Sequence, residues 1–214
     1  MPKSPRELVM PPVVYSVPGM DTVAVRSNLK YSSADHPLLL MDVYEAHANA
    51  PVVLLVHGSA PVETRPKDWG MFQSWGRLLA ASGLTAAIVN HRMIHSDVEA
   101  AIDFAKATGV FVWSGGGPLL ANLSPRVKCA AAFYAILDCP VLKVPTFVAR
   151  AGRDEVPGVK ETIDQYVSAA IAQNAPLTFV NHPSGEHGFD NQNDDDRSRE
   201  IIRAAIEFLK EHLA

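Results

Sequence analysis

The sequence predicts an α/β protein, a mostly parallel sheet with helices on both faces. Three observations carry this. Short apolar runs alternate with amphipathic stretches along most of the chain, the pattern of strand and covering helix. Pro51-Val-Val-Leu-Leu-Val56, closed by His57-Gly58, is a continuous apolar run, as a parallel strand buried on both faces requires. Finally, 214 residues at 48% hydrophobic and 20% charged suffice for one well-filled core. No internal repeat and no Pro/Gly/Ser linker divides the chain. The expectation is therefore a single domain over residues 23–214, preceded by an irregular arm over 1–22 that Pro2, Pro5, Pro11, Pro12 and Pro18 punctuate.

The elements follow in order. Val23–Val25 and Leu38–Tyr44 read as two strands of a hairpin, and 51–56 as a central strand. Trp69, Phe72, Trp75 and Leu79 recur at helical spacing over 69–81, with Gly83 as the stop. Leu84–Val89 is the next strand. Ser96 and Glu99 have capping-box spacing, which predicts a helix through Val98, Ile102 and Ala105 that ends by Gly109 and leaves His91 and His95 ahead of it. Strand Val110–Trp113 runs into Ser114-Gly115-Gly116-Gly117, followed by a short helix over 119–123. Strands at Val127–Leu137 and Pro145–Arg150, a helix over Thr162–Ala172, a strand at Leu177–Asn181 and a final helix complete the chain. That last helix turns Ile202, Ala205, Ile206, Leu209 and Leu213 inward and has Asp194–Asp196 at its positive end.

Several function classes are disfavoured. A net charge of −4 gives no general attraction to phosphate backbones or anionic lipid, so nucleic acid is not the expected partner. The longest apolar stretch, Cys129–Leu137, is far short of the roughly 18 residues of a membrane span. The first residues lack a secretory pattern, which makes the cytoplasm the expected compartment. Cys129 and Cys139 flank a segment that, if extended, holds them beyond disulfide reach, and no CxxC pair occurs. No metal or other cofactor is expected. His91 and His95 precede a helix rather than share its face, the Asp194–Asp196 run lacks calcium-loop spacing, and no Lys-Ser/Thr pair follows the triple glycine.

Chemistry is concentrated at three predicted strand ends. Ser114 follows a strand and precedes glycines, so its hydroxyl can stand on a sharp turn beside free backbone N–H groups. His187, in Ser184-Gly-Glu-His-Gly-Phe189, follows the last strand with glycine on either near side. Asp154, in Ala151-Gly-Arg-Asp154, follows the strand before it and could fix the imidazole tautomer, with Glu155 as rival.

With these residues, the chain from about Leu38 onward resembles the α/β-hydrolases, in particular the small esterase and dienelactone-hydrolase-like members. His57-Gly58-Ser59 resembles their oxyanion loop, Trp113-Ser114-Gly115-Gly116 their nucleophile elbow, 149–154 their acid loop and Gly185-Glu-His187-Gly-Phe189 their histidine loop, in the order Ser, Asp, His. The resemblance implies a serine hydrolase of small-molecule carboxylic esters: Ser114 as nucleophile, His187 as base, Asp154 as its partner, and the backbone N–H groups of Ser59 and Gly115 as the oxyanion hole. His57 is then structural, holding that loop. Lactones cleaved by the same residues, or a hydrolase fold that binds without turnover, are the alternatives, and homo-oligomerisation is left open. Two departures stand out. Val112 occupies a position where the family has Gly or Ala. Only 138–143 separate two strands that must be parallel, so either the first ends before Leu137 or the helical excursion found there in relatives is absent. A minimal or absent cap, and with it a shallow acyl pocket of little discrimination, is the expectation.

Overall fold

The computed structural model describes residue 7 and residues 9–33 and 36–214. It places β1 (Ala24–Lys30), β2 (Leu40–Glu45), β3 (Val52–Val56), β4 (Thr85–Val89), β5 (Gly109–Trp113), β6 (Cys129–Phe133), β7 (Thr146–Ala151) and β8 (Leu177–His182) in one sheet, in the order β1-β2-β4-β3-β5-β6-β7-β8. β1, β2 and β4 pair antiparallel, so the expected hairpin forms, and every pair from β4 through β8 is parallel. The central strands carry the apolar runs. β5 and β6 are buried at every residue, and the small side chains Ala130–Ala132 leave room for their larger neighbours in β5.

The long helices are α1 (Gly70–Ala81), α2 (His95–Ala105), α3 (Val159–Ala172) and α5 (Asp196–Leu213), with a single turn, α4 (Phe189–Gln192), before the last. Trp75 of α1 meets Phe111, Trp113 and Phe133, and Phe208 of α5 meets Phe147, so both helices cover one face. Arg150, of opposite parity to Phe147 on β7, pairs with Asp164 of α3 at 2.7 Å, which puts α3 on the other face. Asp195 caps α5, accepting from Ser198 N at 2.7 Å, as the acidic run ahead of that helix suggested.

Three expectations are corrected. α2 begins at His95, so Ser96 lies inside it and His95 on it. The residue that closes its first turn is Asp97, whose buried carboxylate accepts from Arg92 N and pairs with the Arg92 guanidinium. The short helix expected over 119–123 is instead a 3-10 stretch over Ser114–Leu120, because three glycines and Pro118 supply neither helix propensity nor a full set of donors. And β6 stops at Phe133, not Leu137. Tyr134 turns the chain with φ 37°, and Ile136 N then donates to Ser114 O at 2.8 Å, so this segment crosses beside the end of β5. The connection therefore spans 134–145, about the dozen residues a parallel crossover needs, and contains no helix.

Candidate active site

Ser114 sits where β5 ends and has φ 52°, the left-handed conformation that a non-glycine residue adopts only under constraint. The turn lifts its hydroxyl clear of the sheet. Val112, the departure from the family pattern, is fully buried within β5 opposite Val56 and Ala132, and Ser114 reaches the strained turn with it in place. The triple glycine is explained by close approach. Any side chain at Gly115 would collide with Ser59, a Cβ at Gly116 would lie 2.8 Å from His57 O, and one at Gly117 would strike Ile136 O.

Ser59 belongs to the loop that leaves β3, which meets the elbow at Gly58: a Cβ there would lie 2.7 Å from Ser114 Cβ and 3.1 Å from Gly115 N. His57 fixes this loop, as expected. Its Nδ1–H donates to Gly58 O at 2.7 Å, and its ring stacks on His91 at 3.7 Å between centroids. His91 N donates to His57 Nε2, and Met93 N to His91 Nδ1. Both rings are neutral. Burial, with His91 opposite, holds His57 far below the ordinary histidine value, and burial brings His91 down to about 4.

The three residues that the sequence singled out meet at the sheet's C-terminal edge. His187 Nε2 lies 3.0 Å from Ser114 Oγ, and its Nδ1 lies 2.8 Å from Asp154 Oδ2. Asp154 is buried, and its second oxygen accepts from Val156 N at 2.9 Å, which leaves the carboxylate one orientation. Glu155 is exposed, and the carboxylate bonded to the imidazole is that of Asp154.

A cavity of about 200 Å³ opens beside this group. Its apolar wall is Val9, Trp69, Met71, Phe72 and Trp113, and Gly58 and Ser59 of the β3 loop, Tyr134 and the segment after His187 line the rest. The shallow pocket expected without a cap is thus replaced by one walled from the N-terminal segment and the start of α1. Met10 packs on the glycine that opens α1, where a Cβ at Gly70 would strike Met10 O. Val13 N donates to Ser74 Oγ, and Val14 N to Asp190 O at 2.8 Å. Sequence reasoning missed these wall residues, because Trp69 and Phe72 read as helix core and nothing in the arm marks Val9. It also missed Asp190, fully buried three residues after His187. That carboxylate accepts from Trp75 Nε1 at 2.7 Å, Trp113 Nε1 at 3.0 Å and Tyr134 Oη at 2.6 Å.

Strand order, elbow and loop positions together define the α/β-hydrolase fold. Solved structures agree with this. Thermogutta terrifontis esterase 2, phosphorylated by paraoxon, superposes with a TM-score of 0.67 at 16% identity over 91% of this chain and 95% of its own. Esterase B from Lactobacillus rhamnosis, inhibited by a C6-C4 SN3 compound, gives 0.67 at 13% identity over 92% and 90%. DphMB1 gives 0.71 at 15% identity over 97% and 90%. No family model matches the chain, and no curated protein matches it in sequence. Among the described residues, no helix is long and apolar enough to cross a membrane.

Proposed function

We propose that the protein is a serine hydrolase that cleaves carboxylic esters of small substrates through an acyl-enzyme. The observation that carries the reading is the continuous line from Ser114 Oγ through His187 to the buried Asp154, at 3.0 and 2.8 Å, on the rim of an apolar cavity. Neutral His187 accepts the Ser114 proton as Oγ attacks the ester carbonyl, and Asp154 stabilises the imidazolium that results. The carbonyl oxygen, now an anion, is bound by the N–H groups of Ser59 and Gly115, which the glycine contacts hold together. The imidazolium then protonates the departing alkoxide, and the alcohol leaves. Water, deprotonated by the same imidazole, attacks the acyl-serine, and the carboxylic acid is released as Ser114 regains its proton.

Likeness to two proteins named as esterases supports the reaction class. The same residues would open a lactone, so a lactone such as a dienelactone is the alternative substrate, and a comparison of kcat/KM for simple esters and lactones decides between them. The main test pairs a fluorophosphonate label with p-nitrophenyl acetate hydrolysis. Wild type is expected to be labelled and to turn over, and Ser114→Ala to do neither. Equal labelling of the two proteins removes Ser114 from the nucleophile role, and a folded wild type without turnover leaves a binding function in its place.

A further inference from the structure

We propose that Asp190 is the positioning residue of this site: its carboxylate gathers Trp75, Trp113 and Tyr134 into one knot and, through Tyr134, fixes the His187 ring between Ser114 and Asp154. This rests on the serine-hydrolase reading of those three residues.

Asp190 is wholly inside, and among the described residues no cation pairs with it; two indole N–H groups, a phenol and its own backbone N–H bond to it. Burial pushes its carboxyl up, and the donors offset this only in part. Burying a carboxylate is costly where well-packed apolar side chains are not, so stability alone does not account for it.

Trp113 immediately precedes Ser114 on β5, and Trp75 lies on α1, the helix whose first turn walls the cavity. Tyr134 follows β6, and Asp190 itself is three residues from His187, so four separate segments converge on one carboxylate. Each is one step from a part of the site.

Tyr134 holds φ 37°, a strained conformation for a bulky side chain that persists only where its surroundings impose it. Two bonds impose it here, Tyr134 N to Ala149 O at 2.8 Å and Tyr134 Oη to Asp190 Oδ1 at 2.6 Å. The ring so placed lies 4.7 Å from the His187 ring, edge against face. His187 is thereby bounded by Asp154 at Nδ1, Ser114 at Nε2 and Tyr134 across the ring. Without the Asp190 bond, Tyr134 has one anchor instead of two and the imidazole loses a fixed neighbour.

Two variants and two readouts test this. Tyr134→Phe keeps the ring and deletes only the donor to Asp190, whereas Asp190→Asn keeps the volume and sets an N–H against one of the donors. Turnover of p-nitrophenyl acetate is measured as kcat and KM separately. The water-exchange rate of the His187 Nδ1 proton, followed by NMR and assigned with His187→Gln, reads ring position without any need for turnover. The expected result is a loss of about 10-fold in kcat for Tyr134→Phe and ~10²-fold for Asp190→Asn, with KM within about twofold, as for a misplaced catalytic group. Exchange of the Nδ1 proton should be at least about 10-fold faster in both variants. A folded Tyr134→Phe protein with kcat within about twofold of wild type and unaltered proton exchange overturns the proposal, even if Asp190→Asn fails to fold or merely melts earlier. If wild type hydrolyses no ester, the reading of the reaction falls, and the proton exchange of the variants still decides what Asp190 does.

Discussion

One wall of the cleft beside Ser114 is polar and comes from the loops that leave β3, β5 and β8, with Asp154 of the loop after β7 buried behind His187. The other is apolar and comes from Val9, Trp69, Met71 and Phe72. The polar wall is built by contacts between backbones and short side chains, so a methyl group at Gly58 or Gly115 is enough to damage it. The apolar wall is built by large side chains that can be trimmed. The difference teaches that the two should fail differently: changes to the first should remove catalysis, and changes to the second should redirect it.

The severest break in the polar wall is expected at Asp154. Asp154→Asn keeps the shape but can hold the imidazole in the wrong tautomer, and kcat for p-nitrophenyl acetate should fall about 10⁴-fold with KM little changed. Glu155→Gln, at an exposed position, should stay within about twofold, as surface changes away from the reacting groups do. If Glu155→Gln gives the loss instead, the acid assignment is wrong.

That contrast also separates what could be read in the sequence from what could not. Ser114, Asp154 and His187 lie at strand ends, where a few residues of local sequence, such as Ser-Gly-Gly or Gly-Glu-His-Gly, announce a turn and a functional group together. The alternation of strands and helices ordered those ends correctly. Asp190 and Trp69 have no such local mark, because their roles come from side chains brought together from four segments or from the arm lying across α1. The end of β6 was half legible: the six residues 138–143 are too few for a parallel crossover, which pointed to an earlier end without placing it. Ala135, Ile136 and Leu137 continue the apolar run, and only the bond from Ile136 N to Ser114 O, across the fold, shows that they have left the sheet. At α2 a local signal misled: Ser96 and Glu99 have the right spacing, but Asp97 has the better partner in Arg92.

Gly115 offers the next break. In Gly115→Ala the new methyl meets Ser59, so the two N–H groups assigned to the oxyanion separate. A loss of about 10²–10³-fold in kcat is expected, the scale of removing one oxyanion donor. Fluorophosphonate labelling should slow in parallel, since the phosphonyl oxygen uses the same donors. Normal labelling with lost hydrolysis would contradict the assignment of the hole.

The histidine pair beneath the loop that leaves β3 is expected to make the folding of the polar wall sensitive to acid. His57 and His91 are neutral when folded and titrate near ~6.5 when unfolded. Between that value and about 4, the unfolded chain therefore takes up protons that the folded His91 does not. Stability is complete above pH ~6.5 and falls with pH below it, by up to about 1.4 kcal/mol per pH unit for each histidine. Urea unfolding at a series of pH values should show this slope. His91→Gln, which cannot be protonated, should flatten it, and an unaltered slope in that variant would place the acid sensitivity elsewhere.

The smallest effect, and the one that tests the apolar wall, concerns acyl length. A cavity of about 200 Å³ is a little larger than the ~150 Å³ that accommodates a benzene ring, and well below the ~300 Å³ at which drug-sized pockets begin. It should therefore bury a short acyl chain fully and exclude a long one. While each methylene is buried, kcat/KM should rise by up to about fourfold per carbon, the equivalent of ~0.8 kcal/mol. Across acetate, butyrate, hexanoate and octanoate esters the expectation is a rise, an optimum at butyrate or hexanoate, and a decline at octanoate. Trp69→Ala removes the largest movable part of the wall without touching Ser114, His187 or Asp154. It should lower butyrate turnover only a few-fold while raising octanoate about tenfold relative to it, shifting the optimum rather than the ceiling. A flat profile in wild type would mean that Val9 and the start of α1 stand aside when substrate binds. If Trp69→Ala lowers all four esters equally, Trp69 supports the catalytic loops rather than the substrate, and the two walls are not independent.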